Sequence, residues 1–378
     1  MKAATALCTA SPATGWLEVP ESGRAALAER TSLIVVAYNA GDDLRQLLGS
    51  IAATEPDVDV IVVDNASSDG AVDRVIREFP AARVVRVAEN RGFGAGNNLG
   101  AAAAGRDYLV FVNPDALLLA GWLDALVRPL VADAGIGLVT PKVLLKDDPG
   151  RINAAGLDVH LSGISMCRGL GSPRAEFAEP VEVAAISGVC FATRREVYER
   201  IGGFDEDIFL YMEDVDLSLR VWLAGYRCLY VAEAAAQHSY ALEVGAAKTF
   251  HVEKGRYLLL LKAFERRTLL ALLPTLLVVE VITWGWALLQ GLGAVGQKLR
   301  AYGWLAGHLA EVAAKRREVA AARAVPDSEF LRRCERGLSF EGLASSGIAR
   351  AAETVFGPLL RASTAAAIRT TRTLGGRS

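Results

Sequence analysis

Acidic residues gather most densely between Gly202 and Arg220. They lie in Gly202-Gly203-Phe204-Asp205-Glu206-Asp207 and again in Tyr211-Met212-Glu213-Asp214-Val215-Asp216. Runs of carboxylates usually form solvated faces, but Phe204, Phe209, Tyr211, Met212, Leu217 and Trp222 are interleaved with these, so some must be partly buried. A buried carboxylate has a shifted pKa and becomes a candidate for acid–base work. Glu213-Asp214 would also open the helix carrying Leu217, Leu219 and Trp222, where negative charge suits the dipole and needs no catalytic role.

Further polar groups follow strand-like apolar runs. Asp64 ends Val60-Ile61-Val62-Val63 and is followed by Asn65-Ala66-Ser67-Ser68-Asp69-Gly70. Its carboxylate can accept from a base or ribose, or bond its own turn, while Asp69 suits a cap of the next helix. The stretch from Asn90 to Gly100 lets backbone amides and Arg91 approach a diphosphate closely. It mimics a dinucleotide fingerprint, with Asp115 about twenty residues on, but polar residues separate it from its strand and no hydride-transfer site follows. Asn113-Pro114-Asp115 ends Tyr108-Leu109-Val110-Phe111-Val112, and Asp115 there is a candidate hard-oxygen ligand for Mg²⁺ or Mn²⁺. His238, taken alone, is an ordinary packed or surface histidine.

The elements that must position these groups follow a βαβ rhythm from Ser32 onward. Leu33 to Ala37, Val58 to Val63 and Val84 to Val87 alternate with helical periods at Leu44 to Ile51 and Val72 to Phe79. Unbroken Val/Ile/Leu runs predict strands buried on both faces, hence a mostly parallel sheet flanked by helices. Ligands then bind beyond the carboxyl ends of the strands, where Asn39, Asp64, Arg91 and Asp115 fall. Gly137 to Ala192 reads as an irregular acceptor half with one strand-like run at Val181 to Phe191, and Cys228 to Val231 as a strand before His238.

Composition narrows the classes. The chain has 378 residues and a formal net charge of -2, which gives no general pull toward nucleic acid. The hydrophobic fraction of 52% and the mean hydropathy of +0.27 are high for a soluble domain. The cysteines, Cys8, Cys167, Cys190, Cys228 and Cys334, are scattered and suggest neither disulfides nor a zinc site. A nucleotidyltransferase would carry a basic glycine-rich loop after its first strand, whereas Tyr38-Asn39-Ala40-Gly41-Asp42-Asp43 is acidic.

In this order the motifs resemble glycosyltransferase family 2, especially its rhamnosyltransferase-type bacterial branch. The similarity runs from about Ser32 to Tyr240 and rests on Val35-Val36-Ala37-Tyr38-Asn39, Val62 to Gly70, Asn90 to Asn98, Asn113-Pro114-Asp115, Ser187-Gly188, Gly202-Gly203-Phe204-Asp205 and Glu213-Asp214-Val215-Asp216. The resemblance implies a GT-A fold, a divalent ion (Mg²⁺ or Mn²⁺), and inversion at the anomeric carbon. By residue it implies that Ala37, Asn39 and Asp64, with Asn65, hold the nucleoside of the donor. Arg91, Gly92 and Asn113 would lie on its diphosphate side. Asp115 and His238 would hold the ion, and Asp214, with Glu213 beside it, would be the general base. Asn113 departs from the family's usual Asp-x-Asp. The donor would be a dTDP- or UDP-linked sugar, L-rhamnose first, with galactofuranosyl and hexosaminyl transfer or a non-catalytic membrane-bound relative as alternatives. The acceptor would be a polyprenyl-linked glycan of the cell envelope.

The expected division is a leader over 1–30, a catalytic domain over 31–262 and a hydrophobic, basic helical region over 263–378. Thr268 to Gly296 carries Glu280 as its only charge and exceeds the roughly twenty residues that cross a bilayer, but Pro274 and several glycines interrupt it. Arg266 and Arg267 before it, with Lys298 and Arg300 after it, place both ends on the cytoplasmic side. A simple span is one option; the charge flanks suit a re-entrant or interfacial helical pair, with Trp284, Trp286 and Trp304 near headgroups and Lys315-Arg316-Arg317 on anionic lipid. The alternative is burial of this segment against a second subunit in a homodimer.

Overall fold

A computed structural model describes residues 26–240, 246–338 and 346–375. Most of the expected leader, with Cys8, lies outside the described residues. Strand β1 (Thr31–Ala37) leads to helix α1 (Asp43–Thr54), β2 (Asp59–Asp64) to α2 (Ala71–Glu78), β3 (Arg83–Arg86) to α3 (Phe93–Ala103), and β4 (Tyr108–Val112) follows. In the sheet these four lie side by side and parallel in the order β3-β2-β1-β4. Their carboxyl ends therefore share one edge.

Strands β1 and β4 are buried throughout and β2 over its last four residues, while β3 is a partly exposed edge strand; the alternation of the buried residues sorts them into two cores. Leu33, Val35, Val62, Val110 and Val112 face α1 and α2 through Leu44, Leu47, Leu48, Ile51, Val72 and Val75. Ile34, Ile61, Leu109 and Phe111 face the opposite way. There α3 lies close on β1, because a side chain at Gly96 or Gly100 would overlap Val36 or Ile34. Phe111 stacks on Phe191 at 4.7 Å, and the edges of Phe204 and Tyr198 complete this aromatic core.

The second half is more regular than its sequence suggests. After the short β5 (Ala116–Leu118) and α4 (Trp122–Ala132), β6 (Ile136–Leu145) is a ten-residue strand buried almost throughout. Short strands β7 (Ile152–Ala154), β8 (Leu157–Val159) and β9 (Ser165–Cys167) follow. The run expected at Val181 to Phe191 is two strands, β10 (Val181–Glu182) and β11 (Cys190–Arg194), with Ala184 to Val189 turning between them. Buried apolar character alone does not distinguish such a turn from a strand. Strand β11 runs antiparallel to both β4 and β6. After α5 (Arg195–Arg200) and α6 (Glu213–Leu223), β12 extends over Arg227–His238, well past Val231. A register shift between Val231 and Ala235 lets the alanine-rich end continue against β6 and β5.

Helices α7 (Ala246–Ala263), α8 (Arg266–Gln290), α9 (Leu292–Gly307), α10 (Leu309–Ala322), α11 (Ser328–Leu331) and α12 (Ser346–Gly375) form the C-terminal region. The hydrophobic core crosses Lys262 without a break: Leu258, Phe264, Leu272, Val319 and Phe330 share one cluster with Phe111 and Leu217. Helix α8 passes through Pro274 and stops at Gly291, whose φ is 97°. Cys167, Cys190, Cys228 and Cys334 are free thiols.

Candidate active site

On the first side of the rim, the turns after β1 and β2 lock together. Ala37 and Asp64 are register partners. The carbonyl of Ala37 accepts from Asn65 N at 2.8 Å. Asn39 adopts a left-handed backbone (φ 51°), which asparagine tolerates, and its Oδ1 accepts from Ser68 N at 2.8 Å. Asp64 is buried; one oxygen accepts from Ser67 N at 3.0 Å and the other from Arg86 at 2.8 Å. It thus makes the turn bond its position suggested, and the same bonds hold its carboxylate rigid. Asp69 accepts from Ala71 N at 3.0 Å at the start of α2.

Asn65 links this turn to the next. Its Oδ1 accepts from Arg91 N at 3.0 Å, and its Nδ2 donates to Asn90 Oδ1 at 2.9 Å and Gly92 O at 3.2 Å. Gly92 takes a φ of 85°, and a Cβ there would stand 2.5 Å from Phe209 O. This close approach lets Phe93 N donate to Phe209 O at 2.9 Å, which brings the loop of Arg91 against the segment leading into α6. Arg91 reaches Glu206 at 3.1 Å from a half-exposed position.

That segment turns sharply. Tyr211 and Met212 both hold left-handed backbones (φ 64° and 73°), uncommon for bulky residues and typical of strained functional turns. Helix α6 then begins with Glu213 and Asp214. Asp214 Oδ2 accepts from Gly188 N at 3.1 Å and Oδ1 from Val215 N at 2.8 Å. Next to Gly188, the Val189 carbonyl accepts from Asn113 N at 2.9 Å, so the carboxylate lies beside the end of β4.

Pairing separates the acidic residues by role. Asp205 and Asp216 pair with Lys262, Asp207 with Lys315 and Glu206 with Arg91. Glu213 and Asp214 have no cationic partner among the described residues. Burial raises both carboxyls above the ordinary carboxylate range, and the Asp214 charge raises Glu213 further. The Gly188 and Val215 amides oppose the rise at Asp214. Glu213 Oε2 is buried without a hydrogen-bond partner among the described residues.

Asp115 and His238 meet where β5 pairs with the end of β12 in the register Ala116 to His238. His238 Nε2 is 3.4 Å from Asp115 Oδ2, and Nδ1 is 3.0 Å from Asn153 Oδ1. Burial lowers the histidine pKa, opposed by Asp115. With Nδ1–H assigned as donor to Asn153, the Nε2 lone pair of a neutral ring points at a carboxylate. Two electron-pair donors this close suit a cation between them. Asn113, just after the end of β4, has its Oδ1 buried without a hydrogen-bond partner among the described residues. His238 is the last residue of β12, not a residue beyond it, because the strand continues after its bulge.

Some roles in the site had no local sequence signal, even where the residue, as at Asn98, lies in a motif named above. Asn98 fastens the 202–207 loop to α3, accepting from Phe204 N at 2.9 Å and Tyr198 Oη at 2.7 Å. The left-handed pair before α6, Asn153 behind His238 and Lys262 between two carboxylates depend on contacts across long sequence separations.

The Glycosyl transferase family 2 model matches residues 32–202, and the Glycosyl transferase family group 2 model matches residues 168–306. An N-acetylglucosaminyl-diphospho-decaprenol L-rhamnosyltransferase of Mycobacterium tuberculosis is 30% identical over 249 residues, covering 58% of this chain and 79% of the relative. The chain belongs to glycosyltransferase family 2. This glycosyltransferase is also similar to rhamnosyltransferase WbbL of Escherichia coli, at 26% identity over 220 residues, 54% of this chain and 82% of the relative. The Staphylococcus aureus TarS 1-349 structure with UDP aligns with a TM-score of 0.53 at 18% identity, over 92% of this chain and 90% of that one. GalNAc-T7 with UDP, GalNAc and Mn²⁺ aligns with a TM-score of 0.53 at 18% identity, over 66% of this chain and 51% of that one. The fold is GT-A, and the rhamnosyltransferase-like branch is the part of the family this enzyme resembles.

Proposed function

We propose that this glycosyltransferase transfers L-rhamnose from a dTDP-linked donor, with inversion, to a hydroxyl of a polyprenyl-diphosphate-linked glycan at the cytoplasmic face of a membrane. The observation that carries the reading is Asp214: a carboxylate with no cationic partner among the described residues and a pKa raised by burial, hydrogen-bonded to Gly188 N beside the end of β4. The donor's nucleoside would lie against Ala37, Asn39, Asp64 and Asn65, and its diphosphate toward Arg91, Gly92 and Asn113. The acceptor oxygen forms a bond to the anomeric carbon as the bond from that carbon to the diphosphate oxygen breaks. Its proton passes to Asp214, and the nucleoside diphosphate leaves. General-base help of this kind is worth about 10² to 10⁴ in rate. Asp115 and His238 would hold Mg²⁺ or Mn²⁺, which when bound supplies positive charge to the departing diphosphate.

The acceptor and membrane placement draw on the relative's decaprenol-linked substrate and on α8. This 25-residue helix has one face of exposed Leu270, Leu273, Leu277, Val281 and Leu288. Glu280 turns the other way, to Tyr257, Lys298 and Tyr302. The deciding experiment offers the purified full-length enzyme dTDP-L-rhamnose, UDP-galactofuranose and UDP-N-acetylglucosamine with an N-acetylglucosaminyl-diphospho-polyprenol acceptor, with and without EDTA. Transfer from dTDP-L-rhamnose that EDTA abolishes and Mn²⁺ restores is the expected result. Preference for another donor overturns the rhamnosyl reading, and full turnover in excess EDTA overturns the metal.

A further inference from the structure

Beside the head of α6 lies a second set of charges that the transfer step does not use directly. Lys262, near the end of α7, is 2% exposed and lies outside every motif discussed above. Its Nζ stands 2.8 Å from Asp216 Oδ1 and also bonds Asp205. Asp216 is fully buried, two residues beyond Asp214, and its Oδ2 accepts from Arg220 Nε at 2.9 Å. Arg220 in turn donates to Ile201 O at 2.6 Å, and Lys315 of α10 pairs with Asp205 and Asp207.

We propose that Lys262 is a positioning residue for glycosyl transfer, a strut from the C-terminal helices that ties the 202–207 loop to the first turns of α6 and fixes the carboxylate of Asp214. The proposal rests on Asp214 being the base. Burying a lysine between two carboxylates gives little net stability over an apolar contact, but it sets geometry, and removing it strands a buried negative charge. Asp216 already acts on Glu213, raising it. The stranded charge would therefore hold the proton more firmly at the head of α6. The charged and titratable groups around that head are Glu213, Asp216 and Arg220 on α6, Lys248 and Lys262 on α7, Asp205 on the loop, Lys315 on α10 and the Cys167 thiol on β9. Among them Lys262 alone joins α6 to the loop.

The test measures kcat and donor KM against pH for the full chain, using dTDP-L-rhamnose and N-acetylglucosaminyl-diphospho-polyprenol. Lys262→Met should lower kcat at neutral pH about tenfold and move its acid limb up by about one pH unit, leaving donor KM within about twofold. Lys262→Arg should restore the limb. A folded Lys262→Met enzyme with its limb unmoved, or with donor KM rising in step with the loss, overturns the strut. Should Lys262→Met fail to fold, Lys315→Met loosens the same loop from the other side; a smaller shift in the same direction supports the proposal and an unmoved limb overturns it. Asp214→Asn is measured in parallel. Full turnover in that variant removes the group the strut serves, whereas a dead Asp214→Asn enzyme beside an unmoved limb in Lys262→Met defeats the strut alone.

Discussion

Among the carboxylates of the acidic cluster, charge pairing decides which are free to take a proton. Asp205 and Asp216 are buried because lysine and arginine meet them, while Asp214 is held by two backbone amides that leave its charge unneutralised. The sequence shows that some of these carboxylates must be buried but not which, because Lys262 and Lys315 lie far along the chain. Asp214→Asn should therefore lower kcat by at least about a hundredfold with donor KM nearly unchanged, since the base acts mainly in the transition state. Steady-state kinetics on the folded variant checks this, and comparable turnover would remove Asp214 from the mechanism. The pH dependence has a definite sign. A base must be ionised, and burial raises the carboxyls of Asp214 and Glu213, so kcat should fall on acidification at a pH above the ordinary carboxylate range. A kcat that stays flat down into the ordinary carboxylate range would contradict it.

At the scale of elements, the first half of the fold is legible because β1, β2 and β4 carry short unbroken apolar runs and the helices between the strands keep their own period. The second half is less so. Strand β6 carries Gly137, Pro141 and Lys142, which read as loop, yet it is paired by β11 and β12 and buried along its length. Tertiary pairing overrides local propensity there. The turn before α3 shows the same dependence on distant chain. The glycines after Asn90 read as a place where backbone approaches a ligand, and the structure adds an approach to another loop: Gly92 fits against Phe209 O only without a side chain. Gly92→Ala faces a left-handed backbone and an overlap with a carbonyl, costing about 1–3 kcal/mol. If the loop moves to relieve it, Arg91 and the turn before α6 move together. Donor KM should rise and kcat fall about tenfold or more while the far-ultraviolet circular dichroism stays that of the wild type. An unchanged donor KM would show that this contact does not position the donor side.

Across the whole molecule, the C-terminal helices pack one face against the core beneath the sheet and leave another uncovered. Several charges that the sequence assigns to membrane flanks are turned inward. Lys298 is buried with Glu253, Glu280 and Thr283, Lys315 pairs with Asp205, and Arg316 donates to Leu261 O. Trp284 packs at a tilt against Tyr302 at 6.1 Å and Trp304 stacks on His308 at 4.2 Å, and both are half-buried. A local sequence window cannot show this, because the acidic partners lie on other elements. Outward on α8 lies an apolar stripe, Leu270, Leu273, Leu277, Val281 and Leu288, spaced by three, four and finally seven residues over five helical turns, with Leu292 exposed just beyond it. An apolar stripe of that length on a helix whose polar face is satisfied internally suits shallow burial at the boundary of headgroups and acyl chains better than a free span. Each leucine that leaves water there contributes ~1.5–3 kcal/mol, so a few substitutions should decide retention. The combined change Leu270→Gln, Leu277→Gln, Val281→Gln and Leu288→Gln should weaken binding to vesicles of phosphatidylglycerol and phosphatidylcholine by at least about a hundredfold, with thermal stability little altered because these positions are exposed. Co-sedimentation measures the binding, and turnover of a water-soluble acceptor analogue reports the catalytic domain separately. Retention of the quadruple variant on vesicles would refute lipid contact through α8. A drop in sedimentation mass from dimer to monomer on the same changes would instead assign the stripe to a second copy of the chain.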